Sequence, residues 1–308
     1  MSLQGHDIIS IEDLSRDELD KILSVSNNMI SLAKTGSEIG KGKILASLFF
    51  EPSTRTRMSF ESAMHRVGGS VIGFDDAEST SAKKGEILTD TIRMSAAYSD
   101  IIAIRHPSEG AAKVAAEVSD IPVINCGDGG HEHPTQTLLD LFTMQKEKGK
   151  IEGLNIGLFG DLKYGRTVHS LAYALSLFPG VKVYCISPPQ LKMPPYAINH
   201  LASKGISVSE DESIEKVIPR LDVLYATRIQ KERFGSEKEY LDVKGRNVID
   251  KKVMSLAKKD MILMHPLPRI DEIAYEVDSD PRSVYFRQAG YGVPVRMAVI
   301  ALLLGLVK

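Results

Sequence analysis

Hydrophobic residues recur along this chain in two patterns, one typical of helices and one typical of buried strands. Leu19, Ile22 and Leu23 follow a Ser-x-x-Glu sequence, Ser15 to Glu18, which predicts a capping box and an amphipathic first helix. Residues 44–50 form an apolar run that barely alternates, as expected of a strand buried on both faces. Similar runs predict strands at 70–74, 100–104, 122–125, 154–159, 181–186, 222–225 and 261–264, with helices near 58–67, 85–98 and 111–118.

This alternation of strands and helices predicts an α/β fold. Such chains form parallel sheets covered by helices on both faces, and two successive runs indicate two domains. We expect the chain to cross between them near Pro134, because proline suits the first turn of a helix. We expect the binding site in the cleft between the domains, since ligands of parallel sheets bind beyond the carboxyl ends of the strands.

Composition narrows the class of protein. The chain has 308 residues and a formal net charge of −2, so we expect no nucleic-acid partner, and positive charge must act locally. Residues 297–307 are apolar but too few to span a bilayer, and we expect a buried helix there and no membrane association. Cys126 and Cys185 form no Cys-x-x-Cys pair, and the N-terminus lacks the apolar run of a signal peptide. A reduced, cytoplasmic protein is the simplest interpretation.

The most informative strand end is Ser53-Thr54-Arg55-Thr56, between the strand at 44–50 and the next helix. Free N–H groups at a helix start attract anions, small hydroxyls add donors, and arginine grips phosphate oxygens through paired hydrogen bonds. The alternative is an ordinary helix cap with solvated arginines. It weakens because other strand ends also carry arginine, namely Arg105, Arg166, Arg228 and Arg269.

Three further segments carry candidate chemistry. His131-Glu132-His133 could suggest zinc, but no third ligand is evident, so we interpret His133 as a neutral donor to a carbonyl oxygen. Arg166 and Arg228 each follow a strand of the second half, and two arginines suit a dicarboxylate such as aspartate. The polar segment 79–85 is either a mobile loop over a site or a solvated connector.

Taken together, these motifs resemble the aspartate/ornithine carbamoyltransferase family over essentially the whole chain. The Ser-Thr-Arg-Thr-Arg run with Phe60-Glu61, the Arg105-His106-Pro107 strand end and the sequence His133 to Gln136 are similar to its carbamoyl-phosphate motifs. The segments 160–170 and 265–269 resemble the aspartate branch, with Pro266 where the ornithine branch has cysteine. The resemblance implies a carbamoyl-phosphate-binding domain at 1–134, completed by a C-terminal helix at 292–308, and an aspartate-binding domain at 135–291.

The resemblance also implies a role for each matching residue. Carbamoyl phosphate would be bound by Ser53, Thr54, Arg55, Thr56, Arg105, His133, Gln136, Leu267 and Pro268, the last two through backbone carbonyls. Aspartate would be bound by Lys84, Arg166, Thr167, Arg228 and Gln230. The catalytic groups would be Arg55, Thr56, Lys84, Arg105 and His133, with Ser81 and Lys84 supplied by a neighbouring subunit of a catalytic homotrimer.

The implied reaction transfers the carbamoyl group to the α-amino group of L-aspartate, an early step of pyrimidine biosynthesis. It needs no cofactor and no metal. Two alternatives stay open: an ornithine-type carbamoyltransferase, and an inactive homologue that binds phosphate or a dicarboxylate. Some family members pair with separate zinc-containing regulatory chains, and the sequence leaves open whether this one does. It also leaves open whether phosphate alone accepts the amine proton or Lys84 assists.

Overall fold

The first helix, α1 (Arg16–Thr35), begins where the capping box predicts. The computed structural model describes residues 2–230, 234–236, 238, 241 and 248–307. In it, the Ser15 side chain accepts a hydrogen bond from the Glu18 N–H, and the Glu18 carboxylate accepts one from the Ser15 N–H. The apolar face of α1, including Leu19, Ile22 and Leu23, is buried. The predicted capping box and amphipathic helix are therefore confirmed.

Contacts divide the chain into two units, Met1–Phe142 with Tyr291–Lys308, and Thr143–Gly290. Each unit contains one parallel sheet, which confirms the predicted α/β architecture of two sheets flanked by helices. The predicted functional domains, 1–134 with 292–308 and 135–291, stay a prediction, because packing does not reveal which residues bind which substrate.

The sheet of the first unit has the order β2-β1-β3-β4. Its strands are β1 (Ile44–Phe49), β2 (Ser70–Phe74), β3 (Ile101–His106) and β4 (Val123–Asp128). Its helices include α1, α2 (Thr54–Arg66), α3 (Leu88–Tyr98), α4 (Ala111–Val118) and the start of α5 (Pro134–Lys148). Strand β1 is buried from Leu45 to Phe49, as its apolar run predicts, and only its first residue, Ile44, is half-buried. Helix α2 packs beside α1 and helix α3 beside α4.

The sheet of the second unit has the order β7-β6-β5-β8-β9. Its strands are β5 (Asn155–Phe159), β6 (Lys182–Ile186), β7 (Ser207–Asp211), β8 (Val223–Ala226) and β9 (Ile262–Met264). Its helices include α6 (Arg166–Leu175), α7 (Pro195–Ser203), α8 (Ile214–Val217) and α9 (Lys251–Ser255), and it contains the start of α10 (Tyr285–Leu303). The sequence pattern missed β7, a sheet-edge strand whose side chains are mostly exposed and polar.

The strand order reverses once in each sheet. In the first unit, β2 and β3 lie on opposite sides of β1. In the second unit, β6 and β8 lie on opposite sides of β5. Ligands of doubly wound sheets bind at the carboxyl ends of the two strands that flank such a reversal. These ends belong to β1 and β3 in one unit and to β5 and β8 in the other.

Two local segments can be compared with their predictions. Of the C-terminal apolar run, Met297 through Leu303 are buried in α10, as predicted, and are at most 2% exposed, whereas residues 304–307 lie beyond the helix and are not buried. The polar segment 79–85 contains short 3₁₀ turns, Ala77–Ser79 and Ser81–Lys84, and whether it is a loop over a site or a solvated connector stays open. Within the residues that the structure describes, no helix combines the length and apolar character needed to cross a membrane.

Candidate active site

Helix α2 begins directly at the predicted anion-binding sequence. Ser53 is its N-cap residue in extended conformation, and the cap lacks a side-chain hydrogen bond. The first N–H groups of any α-helix have no acceptor within the helix, so Thr54, Arg55 and Thr56 present donors at this end. The sequence pattern had placed the helix start near residue 58. The earlier start puts the Ser-Thr-Arg-Thr sequence at the end of β1, where a phosphate would meet the positive end of the helix.

Two guanidinium groups lie near this helix start. The pKa of Arg55 is lowered mainly by its partial removal from solvent and, to a smaller extent, by the positive charge of Arg105. Arg105 lies within β3, not beyond it as predicted, and is held by two contacts. Its Nη2 is 3.2 Å from a Glu51 carboxylate oxygen, and its Nη1 donates to the Cys126 carbonyl at 3.3 Å. The mutual repulsion of Arg55 and Arg105 would be relieved by a bound anion.

His133 reaches the same helix start from the segment after β4. Its Nε2 lies 3.4 Å from the Thr56 hydroxyl, and its Nδ1 lies 3.4 Å from the Thr135 hydroxyl. Thr56 and His133 are 6% and 5% exposed, so this pair is largely shielded from water. Hydrogen bonds with little surrounding water are electrostatically stronger than exposed ones. The structure therefore brings Thr56 and His133 together as the motifs predict.

The neighbours of His133 serve the fold instead. The Glu132 carboxylate accepts hydrogen bonds from the Ser10 hydroxyl at 2.6 Å and the Ile11 N–H at 2.9 Å. The His131 side chain is 57% exposed and lies 3.4 Å from Asp128. Within the described ranges, no group of three His, Cys, Asp or Glu side chains has the arrangement of a metal site.

Gln136 lies in the first turn of α5. Its Nε2 donates to the Asp140 carboxylate at 2.8 Å, one helical turn further on. Gln136 is 9% exposed and Asp140 is fully buried. Asp140 was not among the predicted site residues, because an aspartate inside an amphipathic helix gives no sequence signal of its own.

Ser81 and Lys84 lie in the 3₁₀ turn after β2, and both are exposed. The neighbouring Lys83 has an acidic partner, Glu78, at 3.6 Å. Among the described residues, the Lys84 ammonium group has no ion-pair partner. The structure does not bring Ser81 or Lys84 into contact with Arg55, Thr56 or His133.

In the second unit, the predicted residues follow two neighbouring strands, and two of them, Arg228 and Gln230, interact with Asp161. Arg166 and Thr167 open α6 after β5, and Arg228 and Gln230 follow β8. Asp161 is fully buried; its burial raises its pKa, while backbone hydrogen bonds and the charge of Arg228 oppose the rise.

The Asp161 carboxylate connects the two segments through backbone donors. It accepts from the Tyr164 N–H at 2.9 Å and from the Gln230 N–H at 3.4 Å. The Gln230 side chain donates to the Tyr164 carbonyl at 3.1 Å. Gly160 permits this approach, because its φ is +111° and a β-carbon there would lie 2.4 Å from the Thr227 carbonyl oxygen. Sequence reasoning quoted Asp161 within a motif but gave it no role.

Leu267 and Pro268 follow β9 in a turn that His265 organises. The Leu267 N–H donates to His265 Nδ1 at 2.8 Å, so Nδ1 carries no proton and Nε2 donates to Glu272 at 2.6 Å. The other Glu272 oxygen accepts the N–H groups of Ile270 and Asp271, each at 3.1 Å. Burial raises the pKa of Glu272, but the hydrogen bond from His265 and backbone hydrogen bonds bring it below its usual range. This buried pair fixes the turn that carries the Leu267 and Pro268 carbonyls.

Comparison with known proteins identifies similar chains across the full length. Residues 6–146 match the family model "Aspartate/ornithine carbamoyltransferase, carbamoyl-P binding domain", and residues 152–303 match "Aspartate/ornithine carbamoyltransferase, Asp/Orn binding domain". The aspartate carbamoyltransferase catalytic subunit of Thermococcus onnurineus is 56% identical, with 100% of both chains covered. That of Thermococcus kodakarensis is 57% identical over 99% of both chains.

Solved structures give the same result. The catalytic subunit of M. jannaschii aspartate transcarbamoylase aligns with a TM-score of 0.92 at 51% identity, covering 97% of this chain and 98% of that one. Aspartate transcarbamoylase from Trypanosoma cruzi in complex with N-(phosphonacetyl)-L-aspartic acid aligns with a TM-score of 0.93 at 41% identity, covering 98% of this chain and 97% of that one. The T. cruzi enzyme has also been solved with carbamoyl phosphate and aspartate.

Proposed function

The chain belongs to the aspartate/ornithine carbamoyltransferase family, and we propose that it transfers the carbamoyl group of carbamoyl phosphate to the α-amino group of L-aspartate. The products are N-carbamoyl-L-aspartate and phosphate, and the reaction serves pyrimidine biosynthesis. The observation that carries this proposal is the buried Thr56–His133 contact at the start of α2. The Thr56 hydroxyl and the His133 ring can both donate hydrogen bonds to the carbonyl oxygen of the substrate, and they lie beside the helix start that would bind its phosphate.

The phosphate group of the substrate binds the start of α2. Backbone N–H groups and the hydroxyls of Ser53 and Thr54 donate hydrogen bonds to the phosphate oxygens. The charged Arg55 guanidinium donates two more, side by side. The pKa of Arg55 is lowered by desolvation and by the positive charge of Arg105. The bound phosphate dianion therefore offsets the repulsion between the two arginines with attraction to each of them.

The carbamoyl carbonyl lies between Thr56, Arg105 and His133. The deprotonated α-amino group attacks the carbamoyl carbon, and negative charge develops on the carbonyl oxygen. Preorganised donors at such an oxygen are worth about 2.7–4 kcal/mol each in comparable sites. The bond between the carbamoyl carbon and the phosphate oxygen then breaks, the departing phosphate accepts the proton that the amine loses, and its remaining charge is met by Arg55. The Gln136 amide and the carbonyls of Leu267 and Pro268 contact the carbamoyl NH₂ group.

The acceptor amino acid binds the residues held together by Asp161. Arg166 and Arg228 pair with the two carboxylates of aspartate, and Thr167 and Gln230 add hydrogen bonds. Ornithine has a cationic side chain, which two arginines would repel. Lys84 completes this set from a neighbouring subunit.

The acceptor is tested by assaying carbamoylated product with aspartate and with ornithine in separate reactions. We expect product from aspartate only. Product from ornithine only would identify the ornithine-type alternative. Absence of product from both, with retained binding of phosphate and succinate, would identify an inactive binding homologue.

The catalytic unit is a homotrimer in which Ser81 and Lys84 of one chain complete the site of the next. Both residues are exposed and lie in the turn that follows β2, the edge strand of the first sheet, along the chain. Apolar side chains on β2, and on α3 and its N-cap after Lys84, are exposed: Ile72 by 41%, Ile87 by 60% and Met94 by 48%. Exposed apolar groups of this size are typical of a subunit interface.

The shared site is tested by mixing Lys84→Ala chains with Arg105→Ala chains after each is shown to be inactive. A mixed trimer contains some sites in which both substituted residues belong to other sites, so partial activity is expected. The control is Lys83→Ala in place of Lys84→Ala, because Lys83 already has an acidic partner in its own chain. No recovery, with mixing confirmed by native mass measurement, would contradict the shared site.

The same native mass measurement, made with and without co-expressed chains, tests for partners. A catalytic trimer alone differs clearly in mass from a trimer bound to separate zinc-containing regulatory chains.

We assign the domain of residues 1–134 with 292–308 to carbamoyl phosphate and that of 135–291 to aspartate. We place the enzyme in the cytoplasm, where both substrates are expected.

A further inference from the structure

Asp140 and Gln136 form a buried pair that the mechanism above does not explain. They lie four residues apart on α5, so their side chains emerge from the same face of the helix. The Gln136 Nε2 donates to the Asp140 carboxylate at 2.8 Å, and Asp140 is fully buried. Within the described chain, the Gln136 amide oxygen receives no hydrogen bond.

The chemistry of this pair fixes which way the amide faces. A glutamine amide has one donor end and one acceptor end of nearly the same shape, and rotation by a half turn exchanges them. An ionised carboxylate only accepts hydrogen bonds. Asp140 therefore holds the NH₂ end of Gln136 and turns the oxygen away from itself. The exposed remainder of Gln136 then presents an acceptor.

A buried cation near Asp140 supports its ionised form. Arg296 of α10 is 3% exposed, and its guanidinium carbon lies 5.0 Å from the centre of the Phe60 ring. Burial lowers the pKa of Arg296 to about 10, and the nearby Asp140 opposes that fall. Arg296 thus remains charged at neutral pH. A positive charge in this low-dielectric surrounding favours the carboxylate over the carboxylic acid, which could otherwise donate to Gln136 and reverse its amide.

We propose that Asp140 is a positioning residue for substrate specificity: it orients Gln136 so that the amide oxygen accepts a hydrogen bond from the NH₂ group of the carbamoyl donor. Acyl phosphates in which a methyl group replaces this NH₂ have nearly the same shape but offer no donor. Asp140 thereby sets the preference for carbamoyl phosphate over acetyl phosphate. This inference rests on the proposed function.

The test compares the two ligands in one preparation. The KM for carbamoyl phosphate and the inhibition constant of acetyl phosphate are measured for the natural protein and for Asp140→Asn. Asparagine keeps the size of aspartate but can accept from or donate to Gln136, so it no longer fixes the amide. We expect the ratio of the acetyl phosphate constant to the carbamoyl phosphate KM to fall about 3- to 10-fold, the effect of one net hydrogen bond.

General damage to the site would weaken both ligands and leave the ratio unchanged, so an unchanged ratio in folded Asp140→Asn would overturn the proposal. Asp140→Ser, which also both donates and accepts, serves if the asparagine variant does not fold. Thr137→Val is the matched control, because Thr137 is equally buried on α5 and its hydroxyl has no hydrogen-bond partner among the described residues. We expect Thr137→Val to leave the ratio unchanged.

A double-substitution cycle locates the effect. In a Gln136→Met background, Asp140→Asn should produce no further fall in the ratio, because no amide remains to be oriented. A further fall of the same size would show that Asp140 acts by another route, and the proposal would be wrong. Absence of carbamoyl transfer by the natural protein would instead contradict the proposed function, so the two failures are distinguishable.

Discussion

Replacing Thr56 with valine separates the catalytic role of the Thr56 hydroxyl from its role in folding. Valine keeps the branched shape of threonine and removes only the hydroxyl group. Thr56 is 6% exposed and lies in the first turn of α2, with its hydroxyl 3.4 Å from His133 Nε2. The substitution therefore leaves the helix and its packing in place while removing one donor from the proposed oxyanion site.

The two effects differ in size. A hydrogen bond of 3.4 Å is long, so its loss should lower the free energy of unfolding by only about 1 kcal/mol. In the transition state the same hydroxyl faces a developing negative charge, where one donor is worth about 2.7–4 kcal/mol, or roughly 10²–10³-fold in kcat. We expect a large fall in kcat, a small change in the KM for carbamoyl phosphate, and a shift in Tm of about 2–4 °C.

The assay measures carbamoyl-aspartate formation against both substrates, with thermal unfolding followed on the same preparation. Ser59→Ala is the matched control, because the Ser59 hydroxyl lies on the same helix and, among the residues that the structure describes, donates only to the backbone carbonyls of Arg55 and Thr56, at 2.6 and 2.9 Å. Its kcat should stay within about twofold of the natural value. A Thr56→Val enzyme with nearly normal kcat would refute the oxyanion role. A large loss of Tm would indicate that the hydroxyl serves folding instead.

Three further predictions concern other parts of the molecule. Arg55→Ala should lower kcat/KM for carbamoyl phosphate by an amount that corresponds to about 2–5 kcal/mol of lost transition-state stabilisation, with an unchanged circular dichroism spectrum. Near-normal kinetics would contradict the phosphate role. Ser15→Ala should lower the free energy of unfolding by about 1 kcal/mol at pH 7 without changing kcat. Because hydrogen bonds from Ser15 lower the pKa of Glu18, that stabilisation is present above the unfolded pKa and is lost as pH falls through the lower folded value. The difference between the natural and Ser15→Ala proteins should therefore shrink in acid, and a constant difference would argue against this linkage. Glu272→Gln should lower the free energy of unfolding by about 1–3 kcal/mol, because a glutamine amide keeps one accepting oxygen where Glu272 uses two, so either the His265 Nε2–H or the two backbone N–H groups would face an NH₂ group; an unchanged Tm would contradict this arrangement.

The fold class was predictable because its signals are local. Strand β1 is marked by an unbroken apolar run, and helix α1 by a capping box followed by helical spacing. Strand β7 was missed because its residues are polar and it lies at a sheet edge, where only hydrogen bonding to β6 defines it. The start of α2 was placed too late for a related reason: four polar residues give no apolar periodicity, although they form its cap and first turn.

The sequence by itself indicated which residues are candidates for the chemistry, because hydroxyl, guanidinium and imidazole groups recur at the ends of successive strands. It also determined the resemblance on which their roles rest. Only the tertiary structure decided how those groups are held. Asp140, Asp161 and Glu272 each orient a candidate site residue or segment through a buried carboxylate, yet none was predicted. A single carboxylate inside a helix or loop leaves no periodic pattern in the sequence. Its role depends on which hydrogen-bond donors lie within reach, and only folding brings those donors to it.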